Sequence, residues 1–193
     1  KGAREVVEAL QALFLAHGAP LVLKSDLGFK AEEITGLLEV KGVLQLLSPA
    51  RYPRYNGSIE AGIGSLQTRA HHEAARNDHA GEWNCDDVEA ARLQANELAR
   101  PWGFDQASPN EAWAARRRHS EYDRWRLKSE MVRATPSVRQ ELGLLPGIEG
   151  SIRKEEAVHR AALTRALVEC KFLTIRRSRF TPPIKRSLWS NIS

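Results

Sequence analysis

Two short apolar runs, residues 21–26 (LVLKSD) and 43–47 (VLQLL), each follow directly on a stretch with helical periodicity, and this order restricts the fold more than any other feature. In residues 4–17, Val6, Val7, Leu10, Leu13 and Phe14 fall on one helical stripe, and Gly18 with Pro20 stops it. In residues 31–41, Ile34, Leu37 and Leu38 form a second stripe, closed by Gly42. Each run is too short for a helix of ordinary length and is bounded by turn residues, as suits a buried strand. Helix, strand, helix, strand with brief connections implies a parallel pair joined by a right-handed crossover. Asp26 ends the first strand, and in α/β sheets that end is where sites are built.

After the second strand comes SPARYPRYNG, residues 48–57, whose prolines and glycine make it a loop. Asn56 is placed to cap the next helix, in which Ile59, Ile63, Leu66 and Ala70 form a stripe expected to pack on the sheet. Glu60 then sits in the first turn. Further helices are expected over 84–100, over 109–119 with Ser108 as cap and Pro109 first, over 120–145 and over 151–170. A short strand is expected at 172–177 (FLTIRR), followed by an extended tail after Pro182-Pro183.

If that packing holds, Asp26 and Glu60 face one cleft. Hard cations such as Mg²⁺ take one or two protein carboxylates together with substrate phosphates. By position alone the pair has an equally simple structural reading, because a carboxylate in a first helical turn is favoured by the helix dipole. The flanking residues carry more information. Residues 18–30 (GAPLVLKSDLGFK) resemble the second-aspartate motif of the retroviral-type integrase core, which includes bacterial insertion-sequence transposases, and residues 48–60 (SPARYPRYNGSIE) are similar to its third motif. The 33 residues between Asp26 and Glu60 are close to that family's spacing, and Ser108-Pro109-Asn110-Glu111-Ala112 is similar to a stretch that closes many of these transposases.

The resemblance, which spans about residues 3–118, implies an α/β fold: an RNase H-like integrase core lacking its first strands, over residues 1–119, followed by a largely helical basic region over 120–193. It implies DNA integration or transposition by polynucleotidyl transfer, in which three carboxylates hold two Mg²⁺ or Mn²⁺ ions. Asp26 would be the second carboxylate and Glu60 the third. Pro49, Tyr55, Asn56 and Gly57 would belong to a loop that contacts DNA. No residue here matches the first aspartate. Because the chain starts at Lys1 and enters a helix at once, the expectation is that an upstream segment is missing and that this chain alone is inactive. Leu27 and Gln67 also depart from the usual Asn and basic residue. The alternative is a non-catalytic DNA-binding remnant, and a more distant one is a helical structural protein with accidental motifs.

Charge bears on the partner. From Arg116 to the end there are 18 Lys and Arg against 8 Asp and Glu, whereas residues 1–115 carry 11 against 16. A basic tail beside an acidic core suits DNA, because neutralised phosphates release counterions. Arg51 and Arg54, interleaved with Tyr52, Tyr55 and Asn56, and the run Arg116-Arg117-Arg118 are the candidate DNA contacts, although the run would equally cap a helix C-terminus. No base-reading motif is visible, so binding is expected to be salt-sensitive and independent of sequence. His71, His72, His79 and Cys85 do not have the spacing of a zinc site, and Trp83, Trp102 and Trp113 read as packing residues. With 42% hydrophobic residues, no apolar run near the roughly 20 residues of a membrane span, and two distant cysteines, the expectation is a soluble protein of a reducing bacterial cytoplasm, associated with the nucleoid and homo-oligomeric when complete.

Overall fold

In the computed structural model, the structure describes residues 2–50, 52–144 and 147–175. Helix α1 (Ala3–His17) ends where Gly18 turns to φ 82°, a left-handed conformation that glycine adopts without strain. Strand β1 (Val22–Ser25), helix α2 (Glu32–Val40) and strand β2 (Leu44–Leu47) follow. The strands pair in parallel, with Val22 opposite Leu44 and Ser25 opposite Leu47. Gly42, at φ 61°, delivers the chain into β2, and a Cβ there would lie 3.2 Å from Cδ of Arg124.

Helix α3 (Gly57–Arg76) leads to α4 (Cys85–Leu93), which continues as one π-helical turn, Gln94–Leu98. Then come α5 (Pro109–Ala115), α6 (Glu121–Glu141) and α7 (Ile152–Glu169). Ser108 caps α5 and Ser120 caps α6, each in a reciprocal capping box, with Glu111 and Asp123 respectively.

The strand pair is covered on both faces. Leu23 packs with Leu10, Ile34, Leu37, Leu38 and Val43 of the α1–α2 side. Val22, Leu44 and Leu46 pack with Leu127 of α6 and with Leu163, Ala166 and Cys170 around α7. Alternation along a strand sends neighbouring side chains to opposite faces, which is why two four-residue strands can separate two apolar layers. Arg124 of α6 fixes the far end of the pair, donating to the carbonyls of Ala19 at 2.5 Å and Pro20 at 2.7 Å.

This architecture corrects the expected fold class. The described chain is mostly helical, its sheet has two parallel strands, and it is not an RNase H-like α/β core. After Leu47, no further described segment pairs as a strand, and the face that additional secondary structure must cover is taken by α6 and α7. The described part of the expected strand at 172–177, Phe172 to Ile175, is not a strand either; Phe172 packs on the α7 side of the core, and Arg176 and Arg177 lie outside the described residues. The α3 stripe is a second correction. Helix α3 packs chiefly on α4, where Ala70 and Ala74 are buried, while Ile59 and Ile63 are exposed. Small side chains on the α4 side permit a close helix approach that the sheet does not offer.

Candidate functional site

The site forms where both strands end. One step past the paired Ser25 and Leu47 stand Asp26 and Ser48. Asp26 is exposed and caps a 3₁₀ turn, Leu27–Phe29, its Oδ1 accepting a hydrogen bond from the Gly28 amide at 3.0 Å. Ser48 is buried, and its amide donates to the Ser25 carbonyl at 2.8 Å, extending the parallel ladder by one bond.

Ser48 also draws in the loop. Its hydroxyl lies 3.0 Å from the Ser25 carbonyl and 2.7 Å from Asn56 Oδ1. Asn56 occupies the N-cap position of α3, as its residue type suggests, but its side chain makes no capping bond because it is turned to Ser48. Lys24 secures the neighbouring residue: its ammonium donates to the Tyr55 carbonyl and sits 4.2 Å from the centre of the Tyr55 ring. The turn Pro53–Asn56 is thereby fastened to β1 through Lys24 and to β2 through Ser48. A shallow cavity of about 340 Å³ results, lined by Asp26, Leu27, Gly28, Ser48, Pro49 and Asn56 among others.

Glu60 is exposed in the first turn of α3, four residues beyond Asn56 and so on the same side of the helix. It does not line the cavity. Among the described residues no three His, Cys, Asp or Glu side chains gather as a metal site. The structure therefore brings Asp26, Tyr52, Ser48 and Asn56 around one cavity, and Glu60 stands one helical turn beyond Asn56, outside that lining. Arg51 lies outside the described residues, as does the side chain of Arg54.

The Arg116-Arg117-Arg118 run stands elsewhere, between α5 and α6. Arg116 stacks on Trp113, 3.4 Å from the ring centre, and donates to the carbonyls of Trp113 at 2.6 Å and His17 at 2.7 Å. Arg117 pairs with Asp123 at 2.9 Å. This guanidinium, with the Ser120 amide, holds the Asp123 carboxyl well below the usual carboxylate range. Arg118 is exposed and has no side-chain partner among the described residues.

Sequence reasoning missed Lys24, Ser25 and Ser48 as the residues that hold the loop. A lysine among the inward positions of an apolar strand, and a serine before proline at a strand end, were the available signals. Of the histidines and cysteine weighed for zinc, His79 bonds Asp87 at 2.8 Å and His71 accepts from Trp83 Nε1 at 3.2 Å.

No protein-family model matches the sequence, and no curated protein matches it. A solved structure does. The chain is similar to a chain in the cryo-electron-microscopy structure of the simian T-cell lymphotropic virus intasome in complex with PP2A regulatory subunit B56 gamma, with a TM-score of 0.52 and 15% identity. The likeness covers 62% of this chain and 43% of that one, so this chain matches less than half of its neighbour's length. At that identity the likeness concerns the fold alone. No helix among the described residues is long and apolar enough to cross a membrane.

Proposed function

We propose that this chain acts on DNA in an integration or transposition reaction, with Asp26 and Glu60 as divalent-metal carboxylates. The observation that carries the reading is the fastening of the 52–56 loop to Lys24 and Ser48, which sets Asp26 beside Asn56 at the end of both strands. The order of the sequence motifs and the likeness to an intasome-complex chain support it.

The donor set suits a hard cation in part. Asp26 offers an exposed carboxylate with Oδ2 unengaged among the described residues, and Glu60 offers a second exposed carboxylate. Two carboxylates with waters and phosphate oxygens are an ordinary set for one Mg²⁺ or Mn²⁺. A two-ion site requires a further carboxylate that the described residues do not supply. A bound ion would polarise the phosphodiester and lower the pKa of attacking water. The protein's own part is positional: the Gly28 amide orients Asp26, the Ser48 hydroxyl orients Asn56, and Lys24 holds the Tyr55 backbone beside the strand end. DNA is the partner in this reading, and a homo-oligomer the working assembly.

Mn²⁺ titration followed by amide line broadening tests the site. Broadening centred on residues 26–28 and 57–61, lost in Asp26→Asn, is expected; broadening that survives the substitution sinks the assignment. A second reading is a DNA-binding protein without catalysis, which the exposed Arg118 beside the α5–α6 junction supports. A labelled duplex that is bound, but neither nicked nor joined with Mg²⁺ or Mn²⁺, would select it.

A further inference from the structure

We propose that the first turns of α6 hold unpaired DNA, with Tyr122 and Trp125 as a stacking platform for its bases. The inference rests on the reading that this chain acts on DNA, and it gives the helical region beyond residue 119 a part in that action. Three residues apart on one helix, the two side chains are neighbours. Their ring centres lie 5.7 Å apart with planes 30° from parallel, and the residues are 64% and 63% exposed. The core is served by the other side of α6, through Asp123, Leu127 and Val138.

The cations beside these rings are those that the fold does not use. Along α6 and α7, Arg133 pairs with Glu130, Arg139 with Glu155 and Arg165 with Glu141, while Arg124 holds the carbonyls of Ala19 and Pro20. Arg126 and Lys128 bond no acceptor among the described residues. Arg126 follows Tyr122 by four residues and Lys128 follows Trp125 by three, so each stands one turn from a ring. Lys171, exposed and likewise without an acceptor, is at the same end of the helical pair, where His119 meets Phe172 edge to face at 5.6 Å.

Open aromatic faces flanked by unpaired cations suit a strand whose bases are free to stack and whose phosphates need counterions. A duplex keeps its bases stacked on one another, so the rings offer it nothing. A hollow of about 490 Å³ beside Trp125 is lined by Val43, Leu44 and Lys128, and also by Glu39 and Glu121. Those carboxylates repel phosphate, which directs the backbone towards Arg126 and leaves the hollow to a base.

Fluorescence anisotropy with three labelled probes tests this on the full chain: an oligothymidylate of about ten nucleotides, an abasic strand of equal length and charge, and a blunt duplex. The oligothymidylate is expected to bind at least about tenfold more tightly than the abasic strand, as stacking on two rings allows. Trp125→Ala should remove most of that preference without changing affinity for the duplex, and Trp125→Phe should largely retain it. The comparison with the abasic strand uses the unaltered chain, so it decides even where a variant does not fold. Duplex binding without any preference for bases over the abasic strand would overturn the proposal and leave the DNA reading standing. No binding of any probe would overturn both. A preference that survives Trp125→Ala, or a dimer that Trp125→Ala dissociates in a chain that binds no strand, would also overturn it, the latter by making a second copy the occupant.

Discussion

The Ser48 hydroxyl lies 2.7 Å from Asn56 Oδ1, so a buried residue at the end of β2 sets the position of the residue that opens α3. The contact joins segments eight residues apart and shares its proton with the Ser25 carbonyl. Ser48→Ala removes both hydroxyl bonds and leaves the Ser48 amide ladder bond in place. The expected cost is about 1 kcal/mol in urea unfolding, the ordinary net worth of a hydrogen bond. Because the loss falls on the loop, hydrogen exchange at the Tyr55 amide, which bonds the Tyr52 carbonyl at 3.0 Å, should accelerate more than exchange at Leu23. Equal acceleration at both would show that the hydroxyl supports the whole strand pair rather than the loop.

A second contact ties α3 to α4 and responds to pH. Asp87 is 1% exposed and accepts from His79 Nε2, from Asn77 and from the Asn84 amide. The Asp87 hydrogen bond, then the Asn77 carbonyl, raises the His79 pKa above 6.5; the Asn84 amide, then His79, lowers that of Asp87 below 3.8. A raised histidine stabilises fully below its unfolded pKa and loses that contribution as pH rises through the folded value. A lowered carboxylate stabilises above its unfolded pKa and loses that contribution as pH falls through the folded value. The joint contribution is therefore greatest between 3.8 and 6.5. The stability difference between the unaltered chain and His79→Gln, from denaturant melts, should be largest there and shrink towards alkaline pH. A difference independent of pH would mean that the pair acts through packing alone. Asn84→Ala, which removes the cap of α4, should cost about 1 kcal/mol at every pH.

These two contacts also mark what was legible in the sequence. Periodicity and punctuation placed α1, α2, β1 and β2 to within a residue or two, because Gly18 and Gly42 stop each pattern where the backbone turns left-handed. The capping box at Asn84 and Asp87 is a local three-residue spacing and can be read directly. The side to which α3 would turn was not legible. Ile59, Ile63 and Leu66 form a good stripe, yet the packing was decided by Ala70 and Ala74, whose small size shows its worth only when a second helix arrives. The covering of the strand pair was equally hidden, since Leu21 meets Leu163 across most of the chain. Motif order marked Asp26 as a candidate site residue, and the bonds from Ser48 and Lys24 that shape its surroundings cross between segments, which a linear pattern does not record.

Leu163 is fully buried between the strand pair and α6, touching the cluster that includes Leu21 and Leu127. Leu163→Ala should cost about 2–5 kcal/mol, the range for a large aliphatic truncated in a core. If strands and C-terminal helices form one cooperative unit, circular dichroism and the fluorescence of Trp125 on α6 should report the same midpoint before and after the substitution. Separated midpoints would instead support residues 1–119 as a domain that folds by itself.

The three consecutive arginines have different surroundings, so they should respond differently in a DNA-binding experiment. Arg116 already serves the fold through Trp113 and the His17 carbonyl, and Arg117 is held by Asp123, whereas Arg118 is exposed without such a bond among the described residues. Arg116→Ala should lower stability by about 1–2 kcal/mol, from the lost stacking and hydrogen bonds. Arg118→Ala should leave stability within about 0.5 kcal/mol, as exposed substitutions usually do. If Arg118 neutralises a phosphate, its removal should reduce the slope of log affinity against log salt by about 1, whichever duplex is used. Fluorescence anisotropy on a labelled duplex over a series of salt concentrations measures that slope. An unchanged slope in Arg118→Ala, with stability also unchanged, would remove this run from the DNA contacts and leave the 48–56 loop to be tested by the same titration.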